Sequence, residues 1–130
     1  MDIRELVQQT LDGALYDSGI YSYWNTRVDV NGPNDPDEYI IYSKADDTGE
    51  EFANNQMLDR TATIDIIYYA SERLYSTSEG RKKIFERINS IIEAMKEAGF
   101  RCPFGENDLG DIDEIGYTAI LISFEYWRLI

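Results

Sequence analysis

The chain of 130 residues contains no histidine and a single cysteine, and these two absences exclude much common chemistry. Without histidine the chain lacks the side chain that titrates near neutral pH and the commonest metal ligand. One cysteine, Cys102, can form no disulfide within the chain. The sequence also has no Ser–His, Cys–His or phosphate-loop signature. We therefore expect a protein that is not an enzyme and that uses no cofactor.

Long apolar runs are also missing from the sequence. No stretch approaches the ~20 apolar residues that a membrane-spanning helix needs. The first residues, MDIRELVQQTLDGALY, begin with an acid and lack the apolar centre of a signal peptide. We expect a protein that is made in the cytoplasm and does not bind membranes. A chain of 130 residues can bury one hydrophobic core, so residues 1–130 are predicted to form a single domain.

Basic residues are scarce, because 12 Lys and Arg stand against 25 Asp and Glu for a net charge of -13. The excess acid is confined to two segments. Residues 29–59 contain nine acids and one base, Lys44, and residues 106–114 contain five acids and no base. Acids and bases balance in the rest of the chain. Such segments repel polyanions, which argues against a conventional nucleic-acid-binding surface.

Two segments carry apolar residues at helical spacing. Residues 2–16 and residues 79–98 each place a stripe of Ile, Leu, Val, Phe or Met on one side, with charged residues opposite. Ser76 and Glu79 match the spacing of a capping box before the second helix. Gly99 stands where a glycine commonly ends a helix. The sequence therefore predicts two amphipathic helices.

The remaining periodic segments are rich in aromatic and β-branched residues, which favour strands. Polar or turn-forming residues separate them, and they are predicted at residues 20–30, 39–45, about 60–74, 100–104 and 117–130. With two helices among them, this order favours an α+β domain. We predict an antiparallel or mixed β-sheet with both amphipathic helices on one face.

The two acidic segments are predicted to include long surface connections. Residues 46–60 are polar and lack a firm period, and residues 106–114 follow the short strand interrupted by Pro103. The carboxylates predicted to project from these loops are Asp46, Asp47, Glu50, Glu51, Asp108, Asp111 and Asp113.

The last strand is apolar on both faces. In residues 117–128, YTAILISFEYWR, one row contains Ile120 and Ile122 and the other contains Leu121 and Trp127. The third predicted strand is similar, with Ile67 and Tyr69 in its second row. Two helices can cover one face only, so the second rows are predicted to form an interaction surface. A central strand that is covered on both sides by its own chain is the alternative. The predicted interface residues are Ile67, Tyr69, Leu121 and Trp127.

A metal site, acid–base catalysis and a reactive thiol each have less support from the sequence than an interaction surface has. Asp108, Asp111, Asp113 and Glu114 are carboxylates of the kind that hard cations bind, but the EF-hand spacing is absent and a solvated loop is favoured. Carboxylates for acid–base catalysis are available on predicted strands, at Asp65, Glu72 and Glu125, without evidence that they approach one another. Cys102 follows Arg101, which favours a reactive thiol, whereas a small buried side chain is the common outcome.

Four segments in this order resemble the tail-completion proteins of long-tailed phages and prophages, also called tail terminators or minor tail proteins. After an N-terminal helix, these segments are the DEYIIYS strand that follows a proline-containing turn, the ATIDIIYYASER strand, the amphipathic helix ending in EAGF, and GYTAILISFEYW after an acidic loop. The resemblance extends over nearly the whole chain. It lies in the order of these segments and in their residue types, and no single motif carries it.

The resemblance implies a structural subunit that forms a ring, generally a hexamer, at the head-proximal end of the tail tube. Its implied partners are copies of itself, the major tail tube protein and the head-completion or connector protein. DNA would pass through the bore without specific binding, and acidic loops lining the bore would repel its phosphates. The implied location is the host cytoplasm during assembly and then the virion tail.

Two other functions remain as alternatives. The protein could be a head-side adaptor or stopper of the neck, which sequence texture separates weakly from a tail-side ring. It could also be an acidic inhibitor that mimics DNA. A mimic spreads carboxylates over folded elements, whereas the second predicted helix carries more bases than acids.

Overall fold

The structure, a computed structural model, describes residues 2–16, 18–26, 36–49, 59–112 and 115–129. Of residues 46–49, 59–61 and 127–129 it describes the backbone alone. The described helices are α1 (Ile3–Ala14), α2 (Glu72–Tyr75) and α3 (Ser78–Glu97). The described strands are β1 (Tyr21–Trp24), β2 (Glu38–Gly49), β3 (Asp59–Ser71), β4 (Glu106–Gly110) and β5 (Tyr117–Leu129).

The strands form one five-stranded sheet in the order β1-β2-β3-β5-β4. β1 pairs with β2 in parallel, and the other three pairings are antiparallel. The sheet is therefore mixed, and with α1 and α3 packed on it the chain has the α+β fold that the sequence predicts.

The hydrophobic core lies between the two long helices and one face of the sheet, which we call the helix face. α1 contributes Val7 and Leu11, and α3 contributes Ile88 and Ile91, all of them buried. The strand residues that meet these helices include Ile40, Tyr42, Ile64, Ile66, Tyr68, Ile120, Ile122 and Phe124. Burying each aliphatic side chain contributes about 1.5–3 kcal/mol. The prediction that the row of Ile120 and Ile122 faces the helices is confirmed.

The two ends of α3 show which of the predicted capping residues end the helix. Gly99 has a φ of 100°, a backbone conformation that glycine adopts readily, and it follows the last residues of the helix as predicted. The predicted capping box at Ser76 is wrong. The N-cap is Thr77, whose hydroxyl oxygen accepts a hydrogen bond from the Gly80 N–H at 3.0 Å, while Ser76 ends the short helix α2. β3 accordingly stops at Ser71 and does not continue to residue 74.

The prediction of a long connection over residues 46–60 is wrong at both of its ends. β2 continues through a bulge between Lys44 and Asp46 as far as Gly49, and β3 already begins at Asp59. The ladder extends because Asp47 and Thr48 pair with Ala62 and Thr61, so backbone hydrogen bonding outweighs the weak strand propensity of Asp47. Residues 50–58 lie outside the described part of the chain.

The fourth strand also lies elsewhere than predicted. In the segment 100–104 only Arg101 forms a β-bridge, with Glu125. The strand β4 is Glu106–Gly110, inside the segment predicted as an acidic loop. An edge strand exposes its charged side chains to water, and so the charge pattern of β4 did not distinguish it from a loop. β1 was predicted over residues 20–30; residues 21–24 form it, and residues 27–30 are outside the described part.

Candidate functional site

The sheet has a second face, which we call the outer face, and none of the described helices lies on it. Side chains alternate along each strand, so the residues between those of the helix face point to the outer face. The register of the strands then fixes which of these residues are neighbours. It places the apolar residues of the outer face at the end of the sheet where β3 ends and β5 begins.

One continuous row of side chains crosses the outer face from edge to edge. Ile41 pairs with Ile67, and Ile67 pairs with Leu121. Tyr23 on β1 and Asn107 on β4 extend the row at its two ends. We call Ile41, Ile67 and Leu121 the apolar row. Ile41, Ile67 and Leu121 are half-buried, so the row presents adjoining aliphatic side chains on three central strands. The structure thus brings together two of the predicted interface residues, Ile67 and Leu121.

A cluster of tyrosines lies beside the apolar row. The rings of Tyr39 and Tyr69 stack with centroids 4.5 Å apart, and Tyr117 meets Tyr39 edge-on at 5.2 Å. The Tyr117 hydroxyl donates a hydrogen bond to the Pro36 carbonyl at 2.6 Å. As a result Tyr39, Tyr69 and Tyr117 are only 3, 6 and 7% exposed. The predicted interface residue Tyr69 is therefore buried by contacts within its own chain, and it supports the apolar row from the side.

The other end of the outer face is polar. The Ser123 hydroxyl donates a hydrogen bond to the Asp65 carboxylate at 2.8 Å. Further along, Arg101 and Glu125 form an ion pair at 3.7 Å. The apolar row is therefore bordered on this side by charged and hydroxyl-bearing side chains, as in an apolar interface with a polar rim. Trp127 lies on β5 opposite Thr61, and its side chain is outside the description.

The predicted acidic loop residues separate into three groups. Asp46 and Asp47 lie on β2, not in a loop. Asp108 lies on β4, so its prediction as a loop residue is also wrong, and Asp111 follows that strand. The strand backbones extend further than the polar composition indicates because each has a partner strand to pair with. The residues outside the described part of the chain are Glu50, Glu51 and Asp113.

Two of these carboxylates hold the β4–β5 turn in shape. The Asp111 carboxylate accepts hydrogen bonds from the N–H groups of Ile115 at 3.0 Å and Gly116 at 2.8 Å. Asp108 accepts one from the Gly110 N–H at 2.9 Å. Asp108 and Asp111 are exposed to solvent at the same time. In the described ranges no group of three or more Asp, Glu or Cys side chains lies close enough to hold a metal ion.

A buried polar cluster on the helix face was not found from the sequence. Glu38, at the start of β2, is buried and accepts a hydrogen bond from the Tyr68 hydroxyl at 2.5 Å. Arg87 of α3 donates to the same carboxylate at 3.2 Å, and the Lys83 ammonium lies 3.9 Å from its other oxygen. A buried carboxylate needs such partners, because desolvation without them is costly. The cluster fixes α3 over the end of the sheet.

Burial raises the pKa of two core tyrosines. The pKa of Tyr68 is raised well above its usual value, first by desolvation and then by its hydrogen bond to Glu38. Desolvation also raises the pKa of Tyr42, whose hydroxyl donates to the Gln8 side chain. Both hydroxyls therefore stay protonated and act as hydrogen-bond donors. Each joins a strand to the polar atoms of a neighbouring element, and neither faces the outer surface.

The sequence predicted part of the outer face but not the cluster around Glu38. Tyr39 and Ile41 alternate with Ile40 and Tyr42, and that alternation assigns the first pair to the outer face. It does not show which tyrosines touch, because that depends on the register between β2, β3 and β5. Glu38 gave no signal, since it stands among other acids in a charged segment.

Comparison with known proteins assigns neither a family nor a function to the chain. No model of a known protein family matches the chain, and no curated protein matches it in sequence. Among the described residues no helix is long and apolar enough to cross a membrane. The features that bear on a function are therefore the apolar row, the strand edges and the distribution of charge.

Proposed function

We propose that this protein is a structural assembly subunit of a long-tailed phage or prophage. In this proposal copies of the chain form a ring that ends the tail tube and joins it to the head connector. The apolar row is the surface by which each subunit is buried against the next component of the assembly, either a neighbouring subunit or the tail tube. The protein turns over no substrate in this role.

The observation that carries the proposal is the outer face, on which none of the described helices packs, with its row of adjoining aliphatic residues. Ile41, Ile67 and Leu121 sit on the three central strands, which are the most rigid part of a sheet of this size. Apolar surface on a rigid scaffold, bordered by polar side chains, is typical of surfaces that bind another protein. The buried tyrosines beside the row add stiffness through their ring contacts.

Two further features support the phage role. Four segments of the chain resemble tail-completion proteins in order and texture, as set out for the sequence. The net charge of -13 suits a component past which DNA moves, because carboxylates repel phosphates and prevent adhesion. The exposed carboxylate of Asp111 lies just after β4 and is a candidate for facing the DNA path.

Deletion and complementation in the phage or prophage that encodes the chain test the role. Without the gene, we expect electron micrographs of the lysate to show tail tubes of uncontrolled length that are not joined to DNA-filled heads. Normal joined particles would contradict any role in the tail. Full heads beside free tails of normal length would move the assignment to a head-side connector.

Complementation with single variants tests the apolar row itself. Ile67→Asp places a charge in the middle of the row, and we expect it to reduce the yield of joined particles by on the order of 30-fold, as for a central interface residue. Phe85→Asp is the matched control, because Phe85 is an exposed apolar residue of α3 on the helix side of the molecule. Equal particle yields from the two variants would contradict use of the outer face.

A further inference from the structure

The two edges of the sheet are chemically different, and the strand register relates them residue by residue. β1 forms one edge and β4 the other. One cross-strand row on the helix face begins at β1 and ends at β4, and consists of Trp24, Tyr42, Ile66, Ile122 and Glu106. Trp24 and Glu106 therefore lie at the same height on opposite edges, separated by four strand spacings, about 19 Å.

The other residues of β1 are related to β4 in the same way. Following the pairings across the sheet, Ser22 leads to Asp108, and Tyr23 leads to Asn107. Tyr21 leads through Tyr39, Tyr69 and Ala119 to Gly110. The order of residues along β4 is the reverse of that along β1, so the two edge strands run antiparallel to each other. A second copy placed beside the first would bring its β4 against β1 in antiparallel register without any shift along the strands.

The side chains that would then meet are complementary. Arg4 of α1 lies with its guanidinium 5.1 Å from the centroid of the Trp24 ring, so a cation stands at the height of Glu106. The Ser22 hydroxyl can donate to the Asp108 carboxylate, and Tyr23 can meet the Asn107 amide on the outer face. β1 itself, with the sequence YSYW, contains no charged residue and no proline. Of the features that discourage pairing with another chain, the described edge strand therefore lacks the charges and the proline.

Exposed apolar residues also sit at matching heights on the two edges. Tyr21 is 55% exposed at the start of β1. At the end of β4 the turn into β5 exposes Leu109, Ile112 and Ile115 by 37, 51 and 54%. Because Tyr21 and Gly110 share one row, these groups lie at the same end of the sheet. Pairing of β4 with another β4 would instead place Glu106 and Asp108 of the two copies together, and like charges that meet in this way are destabilising.

From this placement we propose that copies of the chain associate head to tail through their sheet edges, with β4 of one copy adding to β1 of the next as an antiparallel strand. The proposal rests on the assembly role proposed above and names the contact between subunits. The contact joins two different surfaces, so each added copy uses one of its edges and leaves the other free for a further copy until a closed ring forms. It leaves the apolar row on the outer face accessible for the tail tube.

Disulfide trapping between purified single-cysteine variants tests this contact. In a background carrying Cys102→Ser, Ser22→Cys and Asp108→Cys place one thiol on each edge. Directly paired strand residues have Cα atoms about 4.5–5.5 Å apart, within the range that a disulfide spans. We expect a 1:1 mixture of the two variants, oxidised at high protein concentration, to form a linked heterodimer. Each variant alone should remain unlinked.

A second pair of edge variants and a control pair complete the trapping experiment. Tyr23→Cys with Asn107→Cys probes the neighbouring pair and serves if one of the first substitutions disturbs the fold. Ser22→Cys with Asn89→Cys is the control, since Asn89 is exposed on α3, and it should give no linked species. Linked homodimers of Ser22→Cys alone would show a two-fold β1 contact and overturn the proposal. Absence of linkage in both edge pairs would also overturn it.

The trapping result and the particle phenotype answer different questions. Edge linkage in the purified protein together with normal particles after gene deletion would leave the subunit contact standing and remove the tail role. Abnormal tails after deletion together with no linkage at either edge pair would keep the tail role and overturn this contact.

Discussion

At the scale of single residues, the buried carboxylate of Glu38 makes three contacts that depend on its charge. It joins the start of β2 to β3 through Tyr68 and to α3 through Arg87 and Lys83. A buried charge without partners is costly, so this site is stable only when all of these groups are in place. Its position beside the end of the sheet means that it also controls how α3 lies over the core.

Replacing this carboxylate with a neutral amide is expected to destabilise the fold. Glu38→Gln keeps the size of the side chain but removes the charge that Arg87 contacts at 3.2 Å. We expect the free energy of unfolding, measured by urea titration, to fall by about 2 kcal/mol, in the range for hydrogen bonds to charged groups. Glu86→Gln on the exposed side of α3 is the control and should change it by less than about 0.5 kcal/mol. Equal effects would contradict a special role for Glu38.

The raised pKa of Tyr68 predicts a loss of stability in alkali. In the unfolded chain a tyrosine loses its proton near pH 10, whereas burial keeps Tyr68 protonated in the fold. Its contribution is therefore fully present below about pH 10 and is lost as the pH rises further, at about 1.4 kcal/mol per pH unit. In Tyr68→Phe this part of the slope should disappear. Tyr16→Phe changes an exposed tyrosine and should keep the original slope; a slope unchanged in Tyr68→Phe would refute the explanation.

At the scale of secondary-structure elements, the junction of α2 and α3 depends on a close backbone contact. Gly80 lies in the first turn of α3 against the end of α2. A Cβ atom at Gly80 would stand 1.8 Å from the Leu74 carbonyl oxygen, far inside van der Waals contact. Because the obstacle is backbone, a rotamer change cannot relieve it. This contact explains why β3 leads through a single helical turn directly into the long helix.

Alanine at two helical glycines should therefore have opposite effects. Gly80→Ala is expected to lower the free energy of unfolding by more than about 2 kcal/mol, because one helix must move away from the other. Gly13→Ala in α1, where nothing lies within 4 Å of the added Cβ, should raise it by about 0.5–1 kcal/mol through helix propensity. Thermal and urea unfolding of the two variants measure both changes. Similar effects at the two sites would show that propensity alone decides and that the α2–α3 contact is unimportant.

At the scale of the whole molecule, the net charge of -13 opposes both folding and association. Carboxylates that repel one another over the surface raise the energy of a compact state. The described ion pairs, such as Arg73 with Asp37 at 2.9 Å, offset part of this repulsion locally. The edge contact proposed here brings a cation and hydroxyl groups to the acidic strand, and so it reduces repulsion at the place where two copies meet.

Salt should therefore stabilise the molecule. Raising NaCl from 0.01 to 1 M shortens the Debye length from about 30 to about 3 Å and screens the repulsion among carboxylates. We expect the midpoint of thermal unfolding to rise with salt, and KCl to act equally because the effect is one of screening. A midpoint that falls with salt would show that attractive ion pairs dominate. Head-to-tail association of the purified chain should strengthen over the lower part of the same range.

Much of the fold could be predicted from periodicity, and the errors have definite causes. The two long helices, α1 and α3, and the central strands of the core follow from side-chain spacing. Examples are Val7 and Leu11 in α1 and Ile64 and Ile66 in β3. β4 was missed because an edge strand carries charges like a loop. The extension of β2 to Gly49 was missed because pairing with β3, and not residue preference, holds that segment in the ladder.

The candidate surface was predictable only in part. Ile67 and Leu121 could be assigned to the face away from the helices by counting along each strand, but their pairing with each other depends on register. Tyr69 was expected to be open to a partner, whereas stacking on Tyr39 buries it within the chain. Contacts of this kind join residues far apart in sequence, so no local pattern encodes them.

The sequence by itself determined the α+β class, the amphipathic helices, the two-faced central strands and the acidity that argues against nucleic-acid binding. These properties follow from residue spacing and composition, which act within one element or over the whole chain. Only the tertiary structure decided the strand order, the cluster around Glu38 and the relation between β1 and β4 at opposite edges. Those features depend on strand register and on which elements pack together. Register is fixed by packing between segments that are far apart in the sequence.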